Sequence, residues 1–394
     1  MERIGIYGGT FNPPHTGHMC AARCAVERLA LDKLLLIPSN ISPHKILPAG
    51  SPTPRQRLEM LRIAAKDIPA AQVSDIELQR GGTSYTYQTL QQLKDQYPDS
   101  ELVLLMGTDM FLSLLHWRQP ETILSLASVG VFYRGNPEEE EKIRIQQEEL
   151  QRKGAKVYLV NNPVTEISST DLRRLLSFDC ASPYLPTGVG DYIRENKLYS
   201  AAGADRNLPE QALEQRVKEL LKESRIAHVL GCRDTAVELA KRWGANEEDA
   251  ARAALLHDVT KALSPALQLT LCREYGIVLD AFFQDNPKTL HALTGSLVAQ
   301  RIFGENEAVV EAIRWHTTGK ANMNTLEKII YVADYMEPNR DFPGVEALRS
   351  LAYEDIDKAL KLGLEMTLRL LTQQKQQISS GSREALDYLE KCGV

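Results

Sequence analysis

An apolar run, Ile4-Gly5-Ile6-Tyr7, leads directly into Gly8-Gly9-Thr10-Phe11-Asn12-Pro13-Pro14-His15-Thr16-Gly17-His18-Met19, and a helical pattern begins near Thr16. A strand, a tight glycine turn and a helix start leave backbone N–H groups converging on one point, which makes an anion site. His15 and His18, three residues apart, aim at the same place. The turn has no G-x-G-x-x-G, which excludes the dinucleotide fingerprint, and the chain has no G-x-x-x-x-G-K-[ST], which excludes a P-loop. It carries H-x-G-H instead. Gly17 lets the backbone approach a ligand closely, and the two imidazoles offer donors to phosphate oxygens. A bare H-x-G-H reads as readily as an exposed helix start. With Thr10 and the Asn12-Pro13-Pro14 bend beside it, the turn Gly8, Gly9, Thr10, Phe11 becomes the expected cradle of a nucleotide triphosphate.

Further strand-length apolar runs follow at Leu34–Pro38, Val73–Leu78, Leu102–Met106, Val129–Tyr133 and Val157–Val160, with helically periodic stretches such as Cys20–Leu31 and Arg55–Asp67 between them. Strands alternating with helices predict a parallel α/β sheet. Asn136-Pro137 opens a charged helix over Glu138–Lys153, whose acidic start suits the helix dipole. At 394 residues the chain is long for one core, so two domains are expected. A net charge of -6 argues against a general nucleic-acid or membrane-surface binder. No apolar run is long enough to span a bilayer, and the first residues enter a strand rather than a signal peptide. Six cysteines without a C-x-x-C pair fit reduced thiols in a cytoplasmic enzyme.

A second phosphate element is Ile167-Ser168-Ser169-Thr170-Asp171-Leu172-Arg173-Arg174. Hydroxyls at a helix start cap it and can receive phosphate, with Arg173 one turn inside. Taken alone, an N-cap followed by surface arginines is the commoner meaning. GGTFNPPHTGH together with ISSTDLR resembles the H-x-G-H nucleotidyltransferases, whose fold is a Rossmann-like parallel sheet. Pro43-His44-Lys45, Gly82-Thr83-Ser84-Tyr85-Thr86-Tyr87 and Gly107-Thr108-Asp109 with Leu115-His116-Trp117 narrow the resemblance to bacterial nicotinate-nucleotide adenylyltransferases, over residues 1–199. That resemblance implies AMP transfer from ATP to nicotinate mononucleotide, with Mg²⁺ bridging phosphates. It places His15, His18, Ser169, Thr170 and Arg173 on ATP, with His18 nearest the α-phosphate. Lys45 would touch substrate or triphosphate, and Thr86, Asp109 and Trp117 the nicotinate nucleotide. Trp117 is nearly as readily a core aromatic, and His44 and His116 are expected at the scaffold or rim.

Residues 200–209 lose periodicity and read as a linker, leaving 210–394 as a second domain. There strands disappear and helical patterns run over Glu210–Ser224, Ala227–Trp243, Glu247–Thr260, Lys288–Phe303, Glu305–His316 and Leu326–Met336. The only histidines of this half are His228, His257, His291 and His316, each in or at the end of a helical pattern. Asp258 follows His257, and Asp334 interrupts an apolar helix, where burial is costly without a partner or a metal. Four imidazoles and two carboxylates from different helices can close around metal; any one histidine alone is more often not a ligand.

The order H…HD…H…H…D resembles the HD-domain phosphohydrolases, specifically the YqeK-like group, over roughly 210–390. This implies an all-α domain after the α/β one and symmetrical hydrolysis of diadenosine tetraphosphate to ADP. It also implies one or two metal ions, iron by resemblance, on His228, His257, Asp258, His291, His316 and Asp334. Imidazole and carboxylate ligands do not themselves select Fe over Mn or Zn. Asp258 and Lys261 would act at the reaction centre, and Lys261 and Arg340 on substrate phosphates, unless the two cations form surface salt bridges. The partners expected are small nucleotides, with no nucleic acid or membrane; an oligomer is left open. Two alternatives remain: the same folds acting on another adenylyl acceptor or phosphorylated nucleotide, or a C-terminal half that senses nucleotide without hydrolysing it.

Overall fold

The computed structural model describes residues 1–133, 137–162, 167–199 and 203–394. Asn136 and residues 200–202, the expected opening of the charged helix and of the linker, lie outside the described residues. The chain divides into two compact units, Met1–Ala201 and Ala202–Val394.

The first unit is a parallel sheet of six strands: β1 (Arg3–Gly9), β2 (Lys33–Pro38), β3 (Ala71–Val73), β4 (Glu101–Gly107), β5 (Ser128–Tyr133) and β6 (Val157–Asn161). Their order is β3-β2-β1-β4-β5-β6. The strand order reverses between β1 and β4, which opens a crevice at their carboxyl ends. Side chains alternate across β1: Ile4 and Ile6 join one buried cluster with Leu90, Leu93 and Phe111. On the opposite face, Phe11, Met19, Ala22, Met60 and Leu61 pack beneath the helices Thr16–Arg28 and Pro54–Ala64. Gly5 lies in a tight place there: a Cβ would come 2.5 Å from Leu31 Cδ1 and 3.0 Å from Leu34 Cδ1.

The expected strand Val73–Leu78 is corrected. β3 ends at Val73, and Ile76–Arg80 is a helix. β3 pairs with β2 only as far as Leu36↔Val73, and Ser74 N–H then closes on the Leu36 carbonyl. Asp75, a poor strand residue, begins the helical turn and accepts from Gln79 Nε2 at 2.8 Å.

Among its described residues the second unit has helices and no strand. The expected pattern Glu210–Ser224 divides, ending at Leu220 before a new helix, Glu223–Trp243. Glu247–Thr260 stops at Leu256 with His257 as its C-cap, and Lys288–Phe303 becomes Leu290–Val298 followed by a π-helical turn, Ala299–Phe303. Further helices occur at Pro265–Glu274, Val345–Glu354, Ile356–Gln373 and Ser380–Lys391. Among the described residues no helix is long and apolar enough to cross a membrane.

Replacing Gly5 by valine should cost about 1–3 kcal/mol by overpacking the sheet–helix interface. Gly8→Ala, which meets nothing within 4 Å, is the control. Urea unfolding followed by circular dichroism measures both; equal midpoints for the two variants would contradict this packing.

Candidate functional site

The crevice over β1 and β4 holds a cavity of about 270 Å³. Gly8, Gly9, Thr10 and Phe11 wall it on one side and Thr86, Met110 and Trp117 on another, with His18, Lys45 and Ser169 also on its wall. His15 caps the helix Thr16–Arg28, and the two imidazoles make a reciprocal capping box. His15 Nδ1 accepts from His18 N–H at 3.3 Å, and His18 Nδ1 accepts from His15 N–H at 3.2 Å. An imidazole that accepts at Nδ1 carries its proton on Nε2. Burial, then the neighbouring His15 and Lys45, holds His18 well below the usual imidazole range. His18 therefore faces the cavity as a neutral Nε2–H donor. His15 lies behind it, stacked at 3.5 Å between ring centroids.

Trp117 Nε1 donates to Ser113 Oγ at 3.2 Å, and the Trp117 ring lies 5.1 Å from His44 at the rim. Asp109 is exposed in the first turn of the helix Thr108–Ser113, outside the cavity wall. Ser168 caps the helix Ser169–Ser177. Arg173 spends Nη1 on the Asn12 carbonyl at 2.9 Å and Nη2 on Thr170 Oγ1 at 3.1 Å. Thr170 and Arg173 thus stand behind the glycine turn, not on the cavity wall.

Sequence reasoning missed Arg57. It is 1% exposed, donating from Nη1 to the Thr10 carbonyl and from Nη2 to the Ser39 and Asn40 carbonyls, at 2.6, 2.6 and 3.2 Å. Its signal was available: Arg57 lies on the same helical face as Leu61 and Ala64. Also missed was Tyr199, whose hydroxyl donates to Asn12 Oδ1 at 2.8 Å. Asn12 is thereby held from its carbonyl by Arg173 and from its side chain by Tyr199. Glu77 is another cavity residue without a prior role; it is buried and accepts from Thr89 Oγ1 at 2.7 Å.

In the second unit the six expected ligands come together. His257 and His316 are the C-caps of Glu247–Leu256 and Glu307–Trp315, His291 is the second residue of Leu290–Val298, and His228 and Asp334 lie within longer helices. His257, His291 and His316 each turn Nδ1 to the carbonyl three residues back: Ala254 at 2.6 Å, Lys288 at 2.8 Å and Ile313 at 2.6 Å. His228 Nδ1 instead meets Glu337 Oε1 at 3.0 Å. Each Nδ1 is a donor, so each Nε2 presents a lone pair to the centre.

His228 Nε2 lies 3.3 Å from His257 Nε2 and 3.1 Å from Asp334 Oδ1. Asp258 spans two groups, with Oδ2 3.6 Å from His257 Nε2 and Oδ1 3.3 Å from His291 Nε2 and 4.0 Å from His316 Nε2. His316 Nε2 and Asp258 Oδ1 are buried without a hydrogen-bond partner. Lone pairs packed this closely repel unless cations lie among them. The donors separate into His228–His257–Asp334 and His257–Asp258–His316, each set within 4.8 Å. The residues fit a metal centre.

Cations ring it. Arg225 pairs with Asp258, and Arg340 Nη2 donates to Asp334 Oδ1 at 2.6 Å. Lys261 Nζ is 3.0 Å from His291 Nε2, and burial pushes it down to about 8. Arg225 and Glu337 had been given no role from sequence, because neither belongs to a ligand pattern.

Residues 6–175 match the cytidylyltransferase-like family, and residues 225–339 match the HD domain. The chain is 36% identical over 198 residues to a probable nicotinate-nucleotide adenylyltransferase of Dictyoglomus thermophilum, covering 50% of this chain and 99% of that protein. It is 42% identical over 165 residues to a symmetrical bis(5'-nucleosyl)-tetraphosphatase of Halalkalibacterium halodurans, covering 42% of this chain and 88% of that one. The Bacillus subtilis protein of the same description is 41% identical over 165 residues, covering 41% and 87%.

Burial holds His257 and His291 well below the imidazole range, and lowers His316 to about 4. Unfolded, each returns to about 6.5, so the unfolded chain binds more protons between those values. The stability they contribute is complete above pH about 6.5 and is lost as pH falls, by up to about 1.4 kcal/mol per pH unit for each imidazole. The melting temperature of the chelator-treated second unit, followed in the full chain, should therefore fall between pH 7.5 and 5.5. A flat profile over that range would contradict the buried neutral imidazoles.

Proposed function

The N-terminal half of the chain belongs to the nicotinate-nucleotide adenylyltransferases and the C-terminal half to the HD-domain symmetrical bis(5'-nucleosyl)-tetraphosphatases, and from this we propose a bifunctional enzyme. Its first unit transfers AMP from ATP to nicotinate mononucleotide. Its second hydrolyses diadenosine tetraphosphate to two molecules of ADP.

For the transfer, the observation that carries the reading is one cavity joining a glycine turn and the neutral His18 donor to Lys45, Ser169, Thr86 and Trp117. ATP lies with its phosphates over Gly8–Phe11, at the N-terminus of the helix Thr16–Arg28, and Mg²⁺ bound with the nucleotide would neutralise phosphate charge there. A phosphate oxygen of nicotinate mononucleotide attacks the α-phosphorus, the bond to the β-phosphate oxygen breaks, and pyrophosphate leaves. The nucleophile is already ionised near neutral pH, so the protein need only position the reactants and stabilise charge. His18 donates from Nε2 to the α-phosphate, and Lys45, on an exposed loop, adds a positive charge. Ser169 receives the outer phosphates, while Arg173 and Thr170 support them through the Asn12 backbone. Trp117, fixed by Ser113, supplies a stacking face for the nicotinate ring.

For the hydrolysis, the carrying observation is the four inward Nε2 lone pairs with Asp258 between them. His228, His257 and Asp334 would hold one divalent cation and His291 and His316 a second, with Asp258 shared. Bound there, the cations supply an activated water and neutralise phosphate charge. Arg225, Lys261 and Arg340 ring the centre and bind the polyphosphate chain, Arg340 by leaving Asp334. The donor set is compatible with Fe, Mn or Zn, and family resemblance favours iron.

Pyrophosphate release with nicotinate mononucleotide, nicotinamide mononucleotide and phosphopantetheine compared side by side tests the first activity. ADP formation from diadenosine tetraphosphate tests the second. His18→Ala should lower adenylyl transfer about 10²–10³-fold, as loss of a transition-state donor does, and leave the hydrolase unchanged. His257→Ala should do the reverse. Transfer without preference for the nicotinate nucleotide overturns the first assignment; metal binding without ADP formation replaces the second by nucleotide sensing.

A further inference from the structure

The four inward histidines are not equivalent. Three rest their Nδ1–H on backbone carbonyls, whereas His228 rests on the carboxylate of Glu337, 109 residues away in sequence. Glu337 is 1% exposed. Its second oxygen, Oε2, accepts from Asn339 N–H and from Asn339 Nδ2, both at 2.8 Å. Asn339 Nδ2 also donates to the Ala227 carbonyl at 3.1 Å, which ties this loop to the helix carrying His228. The same helix has Gly231 where the loop crosses it: a Cβ there would come 2.5 Å from Glu337 Oε2 and 3.0 Å from Asn339 Nδ2. Arg349 Nη2 fixes the Glu337 carbonyl at 2.9 Å. A buried carboxylate held on this many sides has one free task, at His228.

A carboxylate behind a ligating imidazole fixes its tautomer and raises its basicity, more strongly than a carbonyl does. Charge adds to the contrast. Around His228 and His257 stand Asp334, one oxygen of Asp258 and Glu337, opposed by Arg225 and Arg340. Among the described residues, the carboxylate oxygen within 4.0 Å of both His291 Nε2 and His316 Nε2 is the other Asp258 oxygen, and Lys261 Nζ lies 3.0 Å from His291 Nε2.

We propose that Glu337 is a positioning residue that makes the two cation positions unequal: through His228 it tightens the His228–His257–Asp334 position, which fills before the His291–His316 one. This rests on reading the cluster as a metal centre. Glutamine cannot replace Glu337. The two Asn339 donors require an oxygen, so the amide must turn its NH₂ toward His228 Nδ1. That forces the His228 proton to Nε2 and removes the lone pair from the centre.

The test is a Mn²⁺ titration of the full chain after chelation, read by calorimetry and by electron paramagnetic resonance. The wild-type chain should take two equivalents, the first tighter. Glu337→Gln should weaken the first by about 10–100-fold, the usual cost of losing such a partner, with the second unchanged. Asn339→Ala, which loosens Glu337 without touching His228, should weaken the same equivalent less, and guards against a Glu337 variant that does not fold. Unchanged first-equivalent affinity in either folded variant, or equal weakening of both equivalents, overturns the inference alone. A wild-type chain that binds no Mn²⁺ overturns the metal reading, and this inference with it.

Discussion

Which ring nitrogen of a histidine keeps its proton is the constraint on which both sites depend, and at His15, His18, His257 and His316 the ends of helices decide it. A helix N-terminus offers unsatisfied N–H groups and a C-terminus unsatisfied carbonyls. His15 and His18 stand at an N-terminus and accept at Nδ1, so Nε2 is left as a donor suited to an anion. His257 and His316 stand at C-caps and donate from Nδ1, so Nε2 is left as a lone pair suited to a cation. The same side chain is thus suited to phosphate in one unit and to a metal in the other. Burial reinforces both choices by keeping His18, His257, His291 and His316 neutral.

Buried charge follows the same division. Beneath the glycine turn, Arg57 and Arg173 donate to the carbonyls of Thr10, Ser39, Asn40 and Asn12 and, among the described residues, to no carboxylate. A carbonyl satisfies the donors without cancelling the charge, so a positive field remains under the turn where phosphates are proposed to lie. Burial lowers both guanidiniums from their ordinary value. Arginine's high starting value keeps such groups charged. At the centre of the second unit the fully buried charged groups are instead carboxylates, Asp258 and Glu337, with Arg225, Lys261 and Arg340 around them.

Local pattern explains how much could be read beforehand. The strand–glycine–helix start at Ile4–His18 needs only neighbours in sequence, and the structure places β1, the turn and the helix Thr16–Arg28 there. The expected strand Val73–Leu78 needed its partner: its pairing with β2 ended at Leu36↔Val73. Arg57 had been given no role from sequence; the carbonyls of two loops, at Thr10 and at Ser39 and Asn40, close on it. The helix expected over Glu247–Thr260 was over-read past Leu256, because apolar periodicity runs on through the turn that follows it.

Residue types and their spacing by themselves determined the parallel α/β order, the all-helical second half and the set of imidazoles and carboxylates, since these depend on side-chain period and on helix-end chemistry within a few residues. Only the tertiary structure decided which of those groups meet. It put His18 on the cavity wall with His15 behind it, withdrew Arg173 to the Asn12 carbonyl, and left Asp109 exposed. It also joined His228 to Glu337 across 109 residues. Contacts of that range are set by how helices and strands pack, and packing leaves no periodic mark in the chain.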